Sequence, residues 1–138
     1  MARIPRPFLL RWDIVEATSD LDRLTLVLSS LPDEEFMRFL ESLRGHGRND
    51  YPVRAMWNAV VAGIVYRHGS MASLLSELRR NRELLFACGF DPMRGSEAAP
   101  SDDAFGRFMK VLVEHRSWIS RMGAEVVKRL GAHLPDLG

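Results

Sequence analysis

The residues best placed to do chemistry are arginines at one corner. Arg79, Arg80 and Arg82 surround Asn81, and Arg67 and His68 end the apolar stretch before them. Guanidinium groups hold phosphate through forked N–H donors, which an ammonium cannot match. A helix, a short turn and a second helix with basic residues at the turn can grip a DNA backbone. Arg107 and Lys110 add cations on a later segment. The plain alternative is a solvated surface knit by pairs such as Arg79 with Glu83, or Glu77 with Arg80 or Asn81. On these residues alone the solvated surface is the better reading.

Other chemistry finds little support. His46, His68, His115 and His133 are scattered, with no zinc-like spacing to another His, Cys or carboxylate. His68 and His115 fall in last turns, where a cation suits the helix dipole. Cys88 has no neighbouring His and lies on an apolar face, which predicts a buried structural thiol. Asp102 and Asp103 are adjacent, so on a helix they point about 100° apart. Metal-dependent phosphoryl chemistry gathers its acids from separate elements. First-turn charge is the better account of the pair. The glycines match no phosphate-binding fingerprint. Neither a metal, a cofactor nor a small-molecule substrate is expected for this chain.

The elements that must carry the corner are helical. The stretch 51–69, YPVRAMWNAVVAGIVYRHG, places Val53, Met56, Trp57, Val60, Val61, Ile64 and Val65 on one helical face. Ala55, Ala59, Ala62 and Gly63 make the other side small rather than charged. This predicts a buried central helix over about 51–68, with Pro52 in its first turn and Gly69 closing it. Before it, Ser19 or Asp20 caps a helix over about 20–30 carrying Leu21, Leu24, Leu28 and Leu31. A second helix begins at Pro32, with Asp33, Glu34 and Glu35 favoured in its first turn by the dipole. Phe36, Met37, Phe39, Leu40 and Leu43 are its apolar face, and Gly45 and Gly47 stop it.

Beyond the centre, Ser70 caps a helix lined by Met71, Leu74, Leu75 and Leu78. Leu84, Leu85 and Cys88 make a short helix ended by Gly89. Residues 90–100 read as a loop. Ser101 caps a helix with Phe105, Phe108, Met109, Leu112 and Val113, and a break follows near 114–117. A last helix carries Ile119, Met122, Val126, Val127 and Leu130, ended by Gly131. No segment alternates apolar and polar residues for long. The class is all-α: a compact bundle of six or seven short helices around a buried central one.

The whole chain sets bounds. Its 138 residues suit one compact domain. We divide it into an irregular N-terminal arm (1–18), a single helical domain (19–133) and a short junction (134–138). The net charge of +1 announces no nucleic-acid or membrane partner through a global field. Residues 51–95 carry six arginines against three acids, so basic charge gathers around the corner. Only two of the basic residues are Lys, which codon bias in a GC-rich genome also explains. The apolar run 59–66 is far short of the roughly 20 residues a membrane span needs. The N-terminus lacks the features of a signal peptide. A single cysteine fits a reducing compartment, and a cytoplasmic location is expected.

A family resemblance joins these pieces. The run from Tyr51-Pro52-Val53-Arg54-Ala55-Met56-Trp57 through Gly63, His68-Gly69-Ser70, Leu74, Leu78, Asn81 and Cys88-Gly89-Phe90-Asp91-Pro92 resembles the N-terminal (InsH-type) domain of bacterial insertion-sequence transposases. Pro100, Ser101, Phe105, Arg107 and Phe108 match the family's later helix. Asp20-Leu21-Asp22-Arg23-Leu24 and Leu31-Pro32-Asp33-Glu34 match the earlier part. The similarity runs from about 20 to 131 and is carried mostly by core and capping residues.

The resemblance implies a helical domain upstream of an RNase H-like catalytic domain with an Asp-Asp-Glu metal triad. That triad would sit on strands, which this sequence lacks. A divalent metal is expected only for that absent domain, and this chain alone is expected to cut nothing. The chain would then be a shortened piece or a remnant reading frame. The implied role is DNA binding or end recognition in DNA transposition. Its contacts would come from Arg67, Arg79, Arg80, Arg82, Arg107 and Lys110. The alternative is a helical dimerisation or scaffold module with no direct DNA contact. Expected partners are DNA at transposon ends and a second copy as a homodimer, with no membrane and no small molecule.

Overall fold

In the computed structural model the described residues are 19–44 and 51–133. Among them lie seven α-helices and no strand. These are α1 (Asp20–Ser30), α2 (Glu34–Arg44), α3 (Val53–Val65), α4 (Met71–Arg80), α5 (Arg82–Cys88), α6 (Asp102–Glu114) and α7 (Arg116–His133), with a 3₁₀ segment at Pro92–Glu97 between α5 and α6. The all-α expectation holds. The arm 1–18, the glycines 45 and 47, and the junction 134–138 lie outside the described residues.

Helix starts follow the capping residues read from the sequence. Ser19, Ser70 and Ser101 each accept a hydrogen bond from a backbone N–H in the first turn that follows. Such a bond satisfies a donor that the helix itself cannot.

α3 is the buried centre: Val53, Met56, Trp57 and Val61 of the expected face are buried, and the side of small residues is buried as well. Ala55, Ala59 and Ala62 are fully buried, whereas Ile64 is 74% exposed and Val60 is half-buried. The small residues are the ones that let neighbouring helices approach. A Cβ built on Gly63 would lie 3.1 Å from Leu74 Cδ2, so α4 crosses close to α3 there. Asn58, the polar residue of the stretch, is also buried. Its Nδ2 donates to the Cys88 carbonyl at 2.9 Å, satisfying an orphan carbonyl at the end of α5.

The ends of α3 need correction. Pro52 is the N-cap rather than a first-turn residue, and the stop is not Gly69. The Arg67 N–H donates to the Ile64 carbonyl at 3.1 Å, and the His68 N–H to the Gly63 carbonyl at 2.9 Å. This is the Schellman pattern, and Arg67 holds its left-handed position with φ 59°. The α5 end repeats the pattern with Gly89 at φ 109°.

Further differences have packing causes. α2 starts after Pro32, and Asp33 is buried rather than a dipole-facing surface charge. The stretch 90–100 is no free loop: Ala98, Ala99 and Pro100 are buried against the core. Val113 faces solvent. α7 runs through Gly131 to His133.

Trp118, which the sequence reading passed over, stacks on Phe39 at 5.0 Å and on Phe36 at 5.7 Å between ring centroids. It fastens α7 to α2. Phe36 in turn meets Trp57 edge-on at 5.3 Å, which carries the aromatic chain into the core.

Candidate nucleic-acid interface

The corner between α4 and α5 is built on a single residue. The Asn81 backbone N–H donates to the Glu77 carbonyl at 2.8 Å and ends α4. Its side-chain oxygen accepts from the Leu84 N–H at 3.1 Å and starts α5. Its Nδ2 donates to Glu77 Oε2 at 3.4 Å. Leu78, Leu84 and Leu85 are buried beneath the turn, so Arg79, Arg80 and Arg82 are left on the exposed side.

Each arginine is lightly held. Arg79 Nη2 reaches Asp102 Oδ1 at 2.7 Å, across to the first turn of α6. This replaces the expected pair with Glu83. Arg80 Nε lies 3.7 Å from Glu77 Oε2. Arg82 Nη2 donates to the Pro92 carbonyl at 3.3 Å, on the 3₁₀ segment. Arg67 is exposed, and its side chain has no protein partner among the described residues.

His68 does not merely sit at a helix end. Its Nδ1 hydrogen-bonds Ser73 Oγ at 2.5 Å, and its Nε2 lies 3.6 Å from Glu77 Oε1. Glu77 therefore lies beside His68, Arg80 and Asn81, although His68 Nε2 itself makes no hydrogen bond among the described residues. Tyr66 lies parallel to the His68 ring. Its phenol pKa is pushed up to about 12, chiefly by burial and then by the charges of Asp20 and Glu77. His115 packs edge-on to Phe39 at 4.9 Å. Cys88 is fully buried, and burial pushes its thiol up to about 12, as suits a structural cysteine.

The two later cations stand apart from the corner. Lys110 is exposed on α6 and makes no ion pair among the described residues. Arg107 lies at the rim of a cleft of about 320 Å³ between α2, the start of α3 and α6. Arg44 shares that rim and donates to the Tyr51 carbonyl.

The most deeply held polar cluster is one the sequence reading missed. Asp33 is 2% exposed, yet it accepts from Arg54 Nη1 at 2.7 Å and from Trp57 Nε1 at 2.8 Å. Arg54 Nη2 also reaches Glu34 Oε1 at 3.1 Å. The available signal was Asp33 directly after Pro32, where the chain turns into α2 beside the start of α3. Among the described residues no group of three or more His, Cys, Asp or Glu is placed to hold a metal ion. No helix among them is long and apolar enough to cross a membrane.

The fold and its corner define a small all-helical module with exposed basic residues at a one-residue helix junction. The family model described as Transposase domain (DUF772) matches residues 13–111, and the chain belongs to that family. This agrees with the resemblance to an insertion-sequence transposase N-terminal domain. No curated protein and no solved structure matches it.

Proposed function

We propose that this transposase domain binds the DNA backbone at transposon ends through the α4–α5 corner. The carrying observation is that Arg79, Arg80 and Arg82 leave one rigid turn on its exposed side, each with a single light contact. Arg67 stands at the end of α3, next to His68, whose Nε2 lies 3.6 Å from Glu77 of the helix that leads into the corner. Arg107 and Lys110, which stand apart from the corner on α6, would add separate backbone contacts. Backbone contacts give affinity that falls with salt, by a slope near 0.9 for each phosphate neutralised. Cutting would belong to a separate metal-dependent catalytic domain, and this domain would deliver the end to it in the cytoplasm.

A gel-shift titration on terminal inverted-repeat DNA tests the reading. Submicromolar binding at low salt, with a shallower salt slope in the Arg79/Arg80/Arg82→Ala chain, is expected. Micromolar or weaker binding at low salt, unchanged by those substitutions, overturns it.

A second reading, dimerisation or scaffolding, has its own observation. Phe86 is 72% exposed beside a groove of about 700 Å³ between α1, α3 and α5, which Leu21 and Leu28 also line. Light scattering decides it: a dimer dispersed by Phe86→Glu supports this reading, and a concentration-independent monomer removes it.

A further inference from the structure

The cleft at Arg107 has a composition the backbone-binding reading does not use. Its floor is core: Leu40, Val53, Met56 and Phe108 are all buried side chains. Its polar lining is Arg44, Tyr51 and Arg107, and no carboxylate among the described residues lines it. Arg44 commits one N–H to the Tyr51 carbonyl and keeps the rest of its fork at the rim. Arg107 has no protein partner among the described residues.

An apolar floor beneath two guanidinium groups suits a ligand that is flat and apolar at one end and anionic at the other. A volume of about 320 Å³ lies at the small end of ligand pockets, which run from about 300 to 1,000 Å³. The cleft thus has room for one small planar group and no extended molecule. A nucleotide released from its stack meets both requirements, with the base on the apolar floor and the phosphate on the arginines. A base within intact duplex does not, because its faces are covered by its neighbours.

We propose that this cleft takes an unstacked nucleotide from a frayed or single-stranded end next to the duplex held at the corner. The proposal rests on the DNA-binding reading and adds to it a preference for end structure. The α6 helix links the two places: Asp102 in its first turn meets Arg79 of the corner, and Arg107 lies further along it.

The test uses the full chain and two DNAs, a blunt duplex and the same duplex with a short single-stranded flank containing 2-aminopurine. The flanked DNA should bind about tenfold more tightly, a usual magnitude for capturing one base. The 2-aminopurine fluorescence of that flank should change on binding. Ala104 lines the same cleft and is half-buried, so Ala104→Phe fills the space from α6. That variant should bind blunt duplex as before and lose both the preference and the fluorescence change. Should Ala104→Phe not fold, the fluorescence response of the unaltered chain still decides. Duplex binding with no flank preference and no fluorescence change overturns the cleft proposal alone. Failure to bind either DNA overturns it together with the reading on which it rests.

Discussion

Two arginine–carboxylate clusters in this molecule use the same chemistry to opposite ends. At Asp33 the carboxylate is buried and holds both Arg54 and the Trp57 indole within 2.8 Å. At the corner, Arg79 meets Asp102 at 2.7 Å, but the two side chains are 50% and 69% exposed. The distances are alike, so geometry does not separate the clusters. Solvent does. Water competes for the exposed pair and leaves it worth little, whereas a buried carboxylate deprived of its donors has no substitute. The first cluster fixes where α2 meets α3. The second leaves its arginine available to a stronger acceptor such as phosphate.

The sharpest way to break this contrast is at the buried end. Trp57→Ala should destabilise the fold by about 3–5 kcal/mol, the usual figure for losing a buried large aromatic. It removes the edge contact with Phe36 and one of the two donors to Asp33. A melting midpoint within error of the unaltered chain would show that Trp57 is not core. Asp33→Ala should cost about 2–3 kcal/mol by denaturant titration, because it strands the Trp57 N–H and leaves Arg54 with Glu34 alone. The figure sits below that for a fully buried pair, since Arg54 is itself partly exposed. Asp33→Asn keeps an acceptor in place and should cost less than Asp33→Ala.

Most of the fold was legible because its signals are local. Serine caps, the Gly89 stop and the helical spacing of apolar residues act within a few positions of themselves. What escaped depends on other helices. Spacing ranks Ile64 with Trp57, yet Trp57 is buried and Ile64 is exposed, because α4 closes on the other side of that end of α3, against Gly63. Asp33 reads as a first-turn charge until α3 brings Arg54 and Trp57 to it. Of the site, the arginines and the Asn81 turn were visible. Their partners Asp102 and Pro92 and the Arg44–Arg107 cleft were not, since each joins residues distant in sequence.

Alkaline pH probes the core from another side. Cys88 has an ordinary thiol value of 9.0 and is held up to about 12 in the fold. Between those values an unfolded chain releases the proton and the folded chain keeps it. The folded state then binds more protons, so stability falls as pH rises. The limit is about 1.4 kcal/mol per pH unit for this one group. Tyr66, displaced upward from 10.0 to about 12, adds loss in the same direction. Denaturant titrations from pH 8 upward should show this decline, and Cys88→Ala should make it shallower even though that variant starts less stable. Equal slopes in the two chains would mean that the thiol ionises as easily folded as unfolded.

Smaller effects are expected at the surface, and the two Schellman ends supply one. Gly89 takes the left-handed position at the end of α5 without a side-chain clash, while Arg67 takes it at the end of α3 with φ 59°. For an L-residue that conformation costs about 1–2 kcal/mol, and glycine returns part of the saving through its unfolded-state entropy. Arg67→Gly should therefore stabilise the fold by about 0.5–1 kcal/mol while weakening DNA binding. A variant that is more stable and binds equally well would remove Arg67 from the interface.

The smallest stability effect carries the most information about the corner. Arg79→Ala and Asp102→Ala each break the same exposed pair, and the loss of that pair alone should change stability by no more than about 1 kcal/mol. Asp102→Ala also gives up a first-turn charge worth about 0.3–1 kcal/mol, so it should be the slightly less stable of the two. Their effects on DNA binding should have opposite signs. On the proposed reading, losing Arg79 removes a phosphate contact, whereas losing Asp102 removes a carboxylate that would compete with phosphate for Arg79. Asp102→Ala should then tighten binding at low salt, and the gain should shrink as salt screens the exposed groups. A structural pair would instead give two variants that bind alike, both weakened or both unchanged. That outcome would make Arg79 a brace between α4 and α6, and would leave Arg80 and Arg82 to hold the DNA.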